Sequence, residues 1–470
     1  MHPISGQLLL QMNNTSSSQK WLLTATSISY IIVILDTSIV NVALAPLAAA
    51  LHPTISGLQW VVSSYTITFA SLLLSGGALG DKLGAKNGYL TGLLLFALAS
   101  AGCGFSSALS TMIFSRILQG IGAALLVPAS LALITSEFPQ SRERAKAIGI
   151  WAGCGGIAMA AGPLFGGLLI QLSGWRSIFL VNVPVALLGI VLAMRIPAIK
   201  IAASERTMDI AGQLFAIIAL GSSIAVLIEG GHRGWLDPWI FGGVLVAVMA
   251  WGLFIFTEHA TGQPMLPMQL FRHADFTAPV IVSLISGLVF YGLFFLLSLY
   301  FETVLGRSSL DAGLAFLPLT LLVTLGSFSA GKLNRLFGPF GLIAGCFGLY
   351  IAGFAGLLIL RENAPYWRVA VCFPALGLAA GVITPVATAA VMGSIVREQA
   401  GIVAGVLNAS RQTGAALGVA IFGGLFNAVK PLAEGIYAAV CLGIAFSMLG
   451  GLLWIIILSS HSSHRKNTPR

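Results

Sequence analysis

The chain has 470 residues, of which 57% are apolar and only 8% charged, with 55 glycines. A soluble domain carries about 25% charged residues, so this composition cannot coat a water-facing surface, and a mean hydropathy of +0.95 places the chain in a membrane. The net charge of +9 comes from 24 Lys and Arg against 15 Asp and Glu. That is a shortage of acids rather than a basic patch, which excludes nucleic acid as a partner, along with disorder and a disulfide-stapled secreted module.

A spanning helix needs about 20 mostly apolar residues. Residues 1–20 are polar and read as a cytoplasmic tail without a secretory signal. Fourteen apolar segments follow: 21–47, 57–79, 88–105, 111–134, 146–171, 177–196, 210–229, 239–257, 276–301, 312–330, 340–360, 369–392, 401–428 and 437–458. They are apolar and glycine-rich all round, as helices in lipid are, and lack the short alternating stretches of a β-barrel. Residues 459–470 read as a second cytoplasmic tail. The longest inner connections bracket the seventh and eighth helices. The expected domains are therefore a six-helix bundle over 21–200, two extra linker helices with their loops over 201–275, and a second six-helix bundle over 276–458.

Orientation follows from Lys and Arg. With the N-terminus inside, sixteen of the 24 fall in cytoplasmic segments and six in outer loops, while Arg116 and Arg411 fall inside helices. This bias predicts both termini inside and an even helix count.

Two echoes suggest duplication. Residues 77–84 resemble 331–338, a shift of 254, and residues 120–128 resemble 377–385, a shift of 257. Matched helical halves with a site between them are a common transporter plan.

Among the acids, only Asp36 lies well inside a predicted helix; Glu302 is placed at an outer helix end. A charge at mid-bilayer costs at least about 2.5–3.5 kcal/mol, so Asp36 must be protonated, paired or in a wet cavity. Burial disfavours the charged form of a carboxyl group, which suits a proton carrier. A structural hydrogen bond to a neighbouring helix is the alternative. Arg116 and Arg411 are fixed positive charges that pair with Asp36 or helix-end carbonyls, or line a cavity. Trp60, Tyr65, Phe294 and Phe295 are candidate aromatic walls, against simple core or lipid packing.

Five motifs then become recognisable. Residues 35–44 (LDTSIVNVAL) resemble the first-helix signature of fourteen-helix drug:proton antiporters of the major facilitator superfamily. Gly77, Leu79, Asp81, Lys82, Gly84 and Lys86 resemble the superfamily's loop 2–3 motif, and Arg116, Gln119, Gly120 and Gly122 its fourth-helix motif. Gly162, Pro163, Gly166 and Gly167 are similar to the antiporter motif of the fifth helix, and residues 175–184 (WRSIFLVNVP) to the start of the sixth. Residues 227–230, 269–272, 312–314 and 408–412 are similar to the methylenomycin A resistance branch of that family.

The resemblance implies an all-α membrane protein of the major facilitator fold, with fourteen helices in a 6+2+6 arrangement. It implies a proton-coupled antiporter that exports drugs or antibiotics from a bacterial inner membrane, works as a monomer, and is no enzyme. Its partners would be a small-molecule substrate, protons and the lipid bilayer. No cofactor or metal is expected, the proton gradient being the energy source. Asp36 would carry the proton. Arg116, Arg411, Asn41, Gln119, Asn408, Gln412 and Tyr65 would line the substrate or coupling cavity. The loop motif, through Asp81, would gate. An importer of the same fold and a non-transporting sensor are the rival readings.

The sequence also departs from the family pattern. Ala85 replaces a basic residue, Arg335 stands where the second loop copy has Asp, and residues 43–46 read Ala-Leu-Ala-Pro. The extra carboxylates of relatives that export dicationic antiseptics are absent, Asn408, Arg411 and Gln412 standing in helix 13, which leans the substrate toward neutral or acidic compounds. Residues 326–332 have P-loop spacing, but Leu333 replaces the Ser or Thr and no strand precedes them.

Overall fold

A computed structural model describes residues 4–138, 140–196, 209–358, 365–392, 400–428 and 432–466. Among these the chain is helical throughout, with no strand. The helices are α1 (Ile4–Ile39), α2 (Leu44–Leu51), α3 (Ile55–Leu83), α4 (Ala85–Phe105), α5 (Leu109–Glu137), α6 (Ser141–Ser173), α7 (Ser177–Leu180) and α8 (Asn182–Met194). They continue with α9 (Ile210–Arg233), α10 (Pro238–Ala260), α11 (Ala274–Leu299), α12 (Ser309–Leu357), α13 (Tyr366–Ala370), α14 (Phe373–Met392), α15 (Ala400–Ala428) and α16 (Leu432–Lys466).

Among the described residues, twelve candidate spans are long and apolar enough to cross a membrane. The longest, Ser309–Leu357, contains Gly338 at φ 68°, a left-handed backbone that interrupts the helix, followed by Pro339. The residues of the P-loop-like stretch lie inside α12, so that pattern is helical packing.

Glycine sets how closely the helices approach. A Cβ at Gly120 of α5 would stand 2.7 Å from the Tyr65 carbonyl, 2.9 Å from Thr68 Cβ and 3.2 Å from the Phe69 nitrogen of α3. A Cβ at Gly377 of α14 would meet the Leu319 carbonyl, Leu322 Cβ and the Val323 nitrogen of α12 at 2.7, 2.8 and 3.3 Å. The glycines are 257 positions apart and their three partners each 254, so the two sequence echoes pack in the same way.

The N-terminal helices α1, α3, α4, α5 and α8 pack among themselves, as do α11, α12, α14, α15 and α16. The two sets meet through α6 on α12 and α3 on α15. α9 lies over the α3–α15 seam and carries α10 outside it. Exposed apolar side chains on α10, such as Val248 and Phe256, form a face suited to lipid. α11 touches the first spanning segment at its far end, on the 3-10 turn Val40–Ala43 and on α2.

Candidate functional site: a buried ion pair in the N-terminal helices

Asp36 sits in the last turn of α1 and is fully buried. Its Oδ2 is paired with the Arg116 guanidinium of α5. Its Oδ1 accepts from Gln119 Nε2 at 2.8 Å and from Asn182 Nδ2 at 3.3 Å. Positions 116 and 119 share one face of α5, and Gly120 and Gly122 press α5 against α3 and α4, which brings that face up to α1. Asn182 opens α8.

The remaining partners close a network. Arg116 Nε donates to the Val61 carbonyl at 3.0 Å, and its Nη1 donates to Gln119 Oε1 at 2.7 Å. Its guanidinium lies 4.3 Å above the centroid of the Tyr65 ring, a cation–π contact. The Tyr65 hydroxyl donates to the Val33 carbonyl at 3.3 Å. Ser100 Oγ accepts from both Gln119 and Asn182, at 2.8 and 3.3 Å. Arg116 is 1% exposed and Gln119 fully buried, so neither lipid nor bulk water reaches the pair. The arrangement is neutral while Asp36 is ionised. Arg116 is a fixed cation, and without its carboxylate partner it would be a charge buried among dipoles.

The sequence therefore picked Asp36, Arg116, Gln119 and Tyr65, which the fold brings together. It missed Asn182 and Ser100 as site residues. Asn182, just ahead of Pro184 in an apolar run, carried a signal; Ser100 in a glycine- and alanine-rich helix carried none.

The other expected residues lie elsewhere. Asn41 is buried, but its amide donates to the Thr37 and Ser38 carbonyls of its own turn, at 3.1 and 3.4 Å. Arg411 on α15 donates to Asn408 Oδ1 at 2.6 Å and lies close to Tyr30 of α1 and Tyr291 of α11. The Tyr30 ring stacks on Trp151 of α6, centroids 3.7 Å apart, and Gly155 leaves room for it. This aromatic surround of Arg411 went unread in the sequence. Gln412 is buried on the same helix. Phe294 and Phe295 are core residues, Phe294 stacking on Phe316 at 4.3 Å, and Trp60 donates to Glu229 of α9 at 2.9 Å.

The antiporter-like glycines form an interface. A Cβ at Gly162 would collide with Ser38 Oγ, and one at Gly166 would stand 2.6 Å from Ile39 Cγ1. A Cβ at Gly167 would stand 2.6 Å from the Ser309 carbonyl of α12, and the Pro163 carbonyl lies where a Cβ at Gly313 would go. Of the loop motif, Gly77 faces Pro128, Gly84 has φ 84° and Lys82 is exposed. Lys86 donates to the Ile196 and Met194 carbonyls at the end of α8, a favourable place for a cation. The Asp81 side chain lies outside the described residues.

A helical membrane protein with a buried ion pair and two equivalently packed helix sets has the build of a transporter. The profile of the Major Facilitator Superfamily matches residues 26–419, and the chain belongs to that family. It is 35% identical to the methylenomycin A resistance protein of Bacillus subtilis (strain 168), over 96% of each chain. It is 34% identical to the methylenomycin A resistance protein of Streptomyces coelicolor (strain ATCC BAA-471 / A3(2) / M145), over 93% of this chain and 92% of that one. Its fold is similar to a crystal structure of a bacterial homolog of the human lysosomal transporter Spinster, inward-facing and unoccupied. The TM-score is 0.64 at 16% identity, over 94% of this chain and 97% of that one. The protein is thus a multi-pass membrane transporter and not an enzyme, and it has antibiotic-resistance relatives.

Proposed function

We propose that the protein is a proton-coupled antiporter that exports drug or antibiotic molecules from the cytoplasm by alternating access, as a monomer in a bacterial inner membrane. The observation that carries this reading is the Asp36 carboxylate, sealed from solvent and shared by Arg116, Gln119 and Asn182. Substrate enters from the inside while Asp36 is ionised and paired. A proton from outside neutralises Asp36, frees Arg116 and favours release and return. Each proton entering downhill supplies about 2.3 kcal/mol per 100 mV.

The proposed arrangement is fourteen spanning helices, 6+2+6, with both termini cytoplasmic. The break at Gly338 supports dividing α12 into two spans. α15 is 29 residues long and supports one more, with Gln412 buried and Asn408 and Arg411 half-buried. The paired Gly120 and Gly377 packing supports two matched bundles, with α9 and α10 as the extra pair.

Arg411 supports the substrate class. Among the described residues it has no acidic partner, and it lies by Tyr30 and Tyr291, one from each helix set. A fixed cation beside aromatic rings suits a neutral or acidic aromatic-sized molecule and repels dications.

The test is an everted-vesicle assay with a respiration-generated pH gradient. Adding substrate should drain the gradient, and Asp36→Asn should abolish the drain at unchanged protein level. A gradient untouched by any resistance-panel compound would remove antiport, and full activity in Asp36→Asn would remove Asp36 from coupling.

A further inference from the structure

A groove of about 400 Å3 lies between α1 and α6. The α1 positions along it, from Lys20 through Leu23 and Ser27 to Ile31, recur three or four residues apart and share one face, and Ile150 and Cys154 of α6 stand opposite. Ile150 begins a stripe of exposed apolar side chains that continues on the same face of α6 through Ile157 and Leu168. The groove therefore opens on hydrocarbon. Three chain neighbours of its lining residues, Tyr30, Trp151 and Gly155, make the tight contact between the two helices, the rings stacked at 3.7 Å. That contact closes the groove on the side of Arg411, which lies by Tyr30.

Two features of the groove go unmet by the protein. The first is a hydroxyl. Helical hydroxyls commonly bond back to a carbonyl one turn earlier, as Thr24, Thr26 and Ser29 do here, onto Lys20, Leu22 and Thr26. Ser27 does not: its Oγ is buried without a partner, and the residue is 7% exposed. The second is charge. Lys20 is exposed at the mouth of the groove. The two helices run the same way, since Gly155 meets Tyr30 and Gly162 meets Ser38. Lys146, one turn before Ile150 on the same face of α6, is therefore level with Lys20, and it too is exposed. The ion pairs among the described residues are Arg116–Asp36 and Arg233–Glu229, so neither lysine has an acid, and Glu143 in the first turn of α6 is exposed and pairs with neither. Trp21, beside Lys20, is 40% exposed, and tryptophan favours the headgroup level of a bilayer. The two ammonium groups thus lie among headgroups, and Ser27 lies about 10 Å deeper along the helix, where the acyl chains begin.

We propose that this groove binds one anionic phospholipid of the inner leaflet: an acyl chain lies along Leu23, Ile31 and Ile150, the Ser27 hydroxyl donates to an ester carbonyl, and Lys20 and Lys146 hold the phosphate. The leaflet follows from the orientation proposed above; the binding depends neither on that orientation nor on proton coupling. The chemistry selects a lipid over an exported drug, because among the described residues that line the groove there is no aromatic ring, and the Tyr30–Trp151 stack closes it from Arg411. Anionic headgroups attract each lysine at the surface, whereas a zwitterionic headgroup brings its own ammonium with the phosphate and gains less. A chain seated there fills the gap between α1 and α6 and braces the helix that carries Asp36.

The experiment counts bound lipid. The full-length protein, purified and delipidated in detergent, is titrated with phosphatidylglycerol or with phosphatidylcholine of the same chains, and the first adduct is followed by native mass spectrometry. The first phosphatidylglycerol should bind more tightly than the first phosphatidylcholine. Lys20→Gln and Lys146→Gln should each weaken phosphatidylglycerol about fivefold and leave phosphatidylcholine unchanged. Ser27→Ala should weaken both lipids alike, by about fivefold, since it removes the ester contact and no charge. Ile31→Trp fills the groove and should abolish the first site for both. Lys332→Gln removes an exposed lysine on α12, away from the groove, and should change nothing. An undiminished preference for phosphatidylglycerol in the Lys20→Gln, Lys146→Gln double variant would overturn the proposal. Equal losses in Lys332→Gln would do the same, since they mark a general annulus of lipid. A resistance-panel drug that displaced the first lipid from the parent but not from Lys20→Gln would also overturn it, by making the groove a substrate site. Lipid binding as expected beside a silent antiport assay would leave this site standing and sink the exporter reading alone.

Discussion

Gln119 touches both members of the buried ion pair: its Nε2 donates to Asp36 at 2.8 Å while its Oε1 accepts from Arg116 at 2.7 Å. One amide thus satisfies an acceptor and a donor of opposite charge, and its orientation is fixed by both. Ser100 takes its second N–H at 2.8 Å, leaving the group no alternative pose.

Gln119→Leu should leave Arg116 and Asp36 paired but strip each of one bond. An unsatisfied buried polar partner costs about 1–3 kcal/mol. The expected outcome is at least about a tenfold loss of export rate with the protein still in the membrane, checked by vesicle transport normalised to immunoblot. Unchanged transport would mean the amide is filler.

The pair itself separates coupling from folding. Removing one partner of a buried ion pair destabilises by about 3–5 kcal/mol, whereas removing both is far milder. Arg116→Met should melt well below the parent in detergent, and Asp36→Asn combined with Arg116→Met should regain most of that loss. Neither should export. A double variant that melts no higher than Arg116→Met would contradict the pairing.

The glycine interface makes a contrast between two alanine substitutions. At Gly167 an added methyl meets the Ser309 backbone of α12 at 2.6 Å, while at Gly156 nothing lies within 4 Å. Overpacking costs about 1–3 kcal/mol, so Gly167→Ala should lower resistance roughly tenfold and Gly156→Ala should leave it near the parent level. Growth inhibition at matched expression decides; equal effects would remove the close approach of α6 and α12 from the mechanism.

Arg411→Ala should lose export of acidic compounds while retaining neutral ones, and Arg411→Lys should keep a share of both, since a point charge replaces the planar fork. A paired susceptibility panel of acidic and neutral antibiotics measures this. Equal loss for both classes would mark Arg411 as a structural partner of Asn408.

Composition and spacing alone determined that this chain lives in a bilayer, which acid lies in its midst and which glycines punctuate its helices. Those properties are local: lipid tests each 20-residue stretch for apolarity independently of the rest. What surrounds Asp36 is not local. Arg116 and Gln119 stand 80 and 83 positions away and Asn182 stands 146 away, and only the depth to which glycine lets α5 approach its neighbours decides that they meet. Glu302 makes the same point in reverse. The sequence placed it at a helix end, where a carboxylate is ordinary, and the packing of two helix sets buried it against Ala45. Asn41, expected by the coupling cavity, turns its side-chain amide back to the Thr37 and Ser38 carbonyls, and only its backbone carbonyl meets Ser298 of α11. Arg411 received its aromatic neighbours from α1 and α11, helices that share no sequence neighbourhood with it.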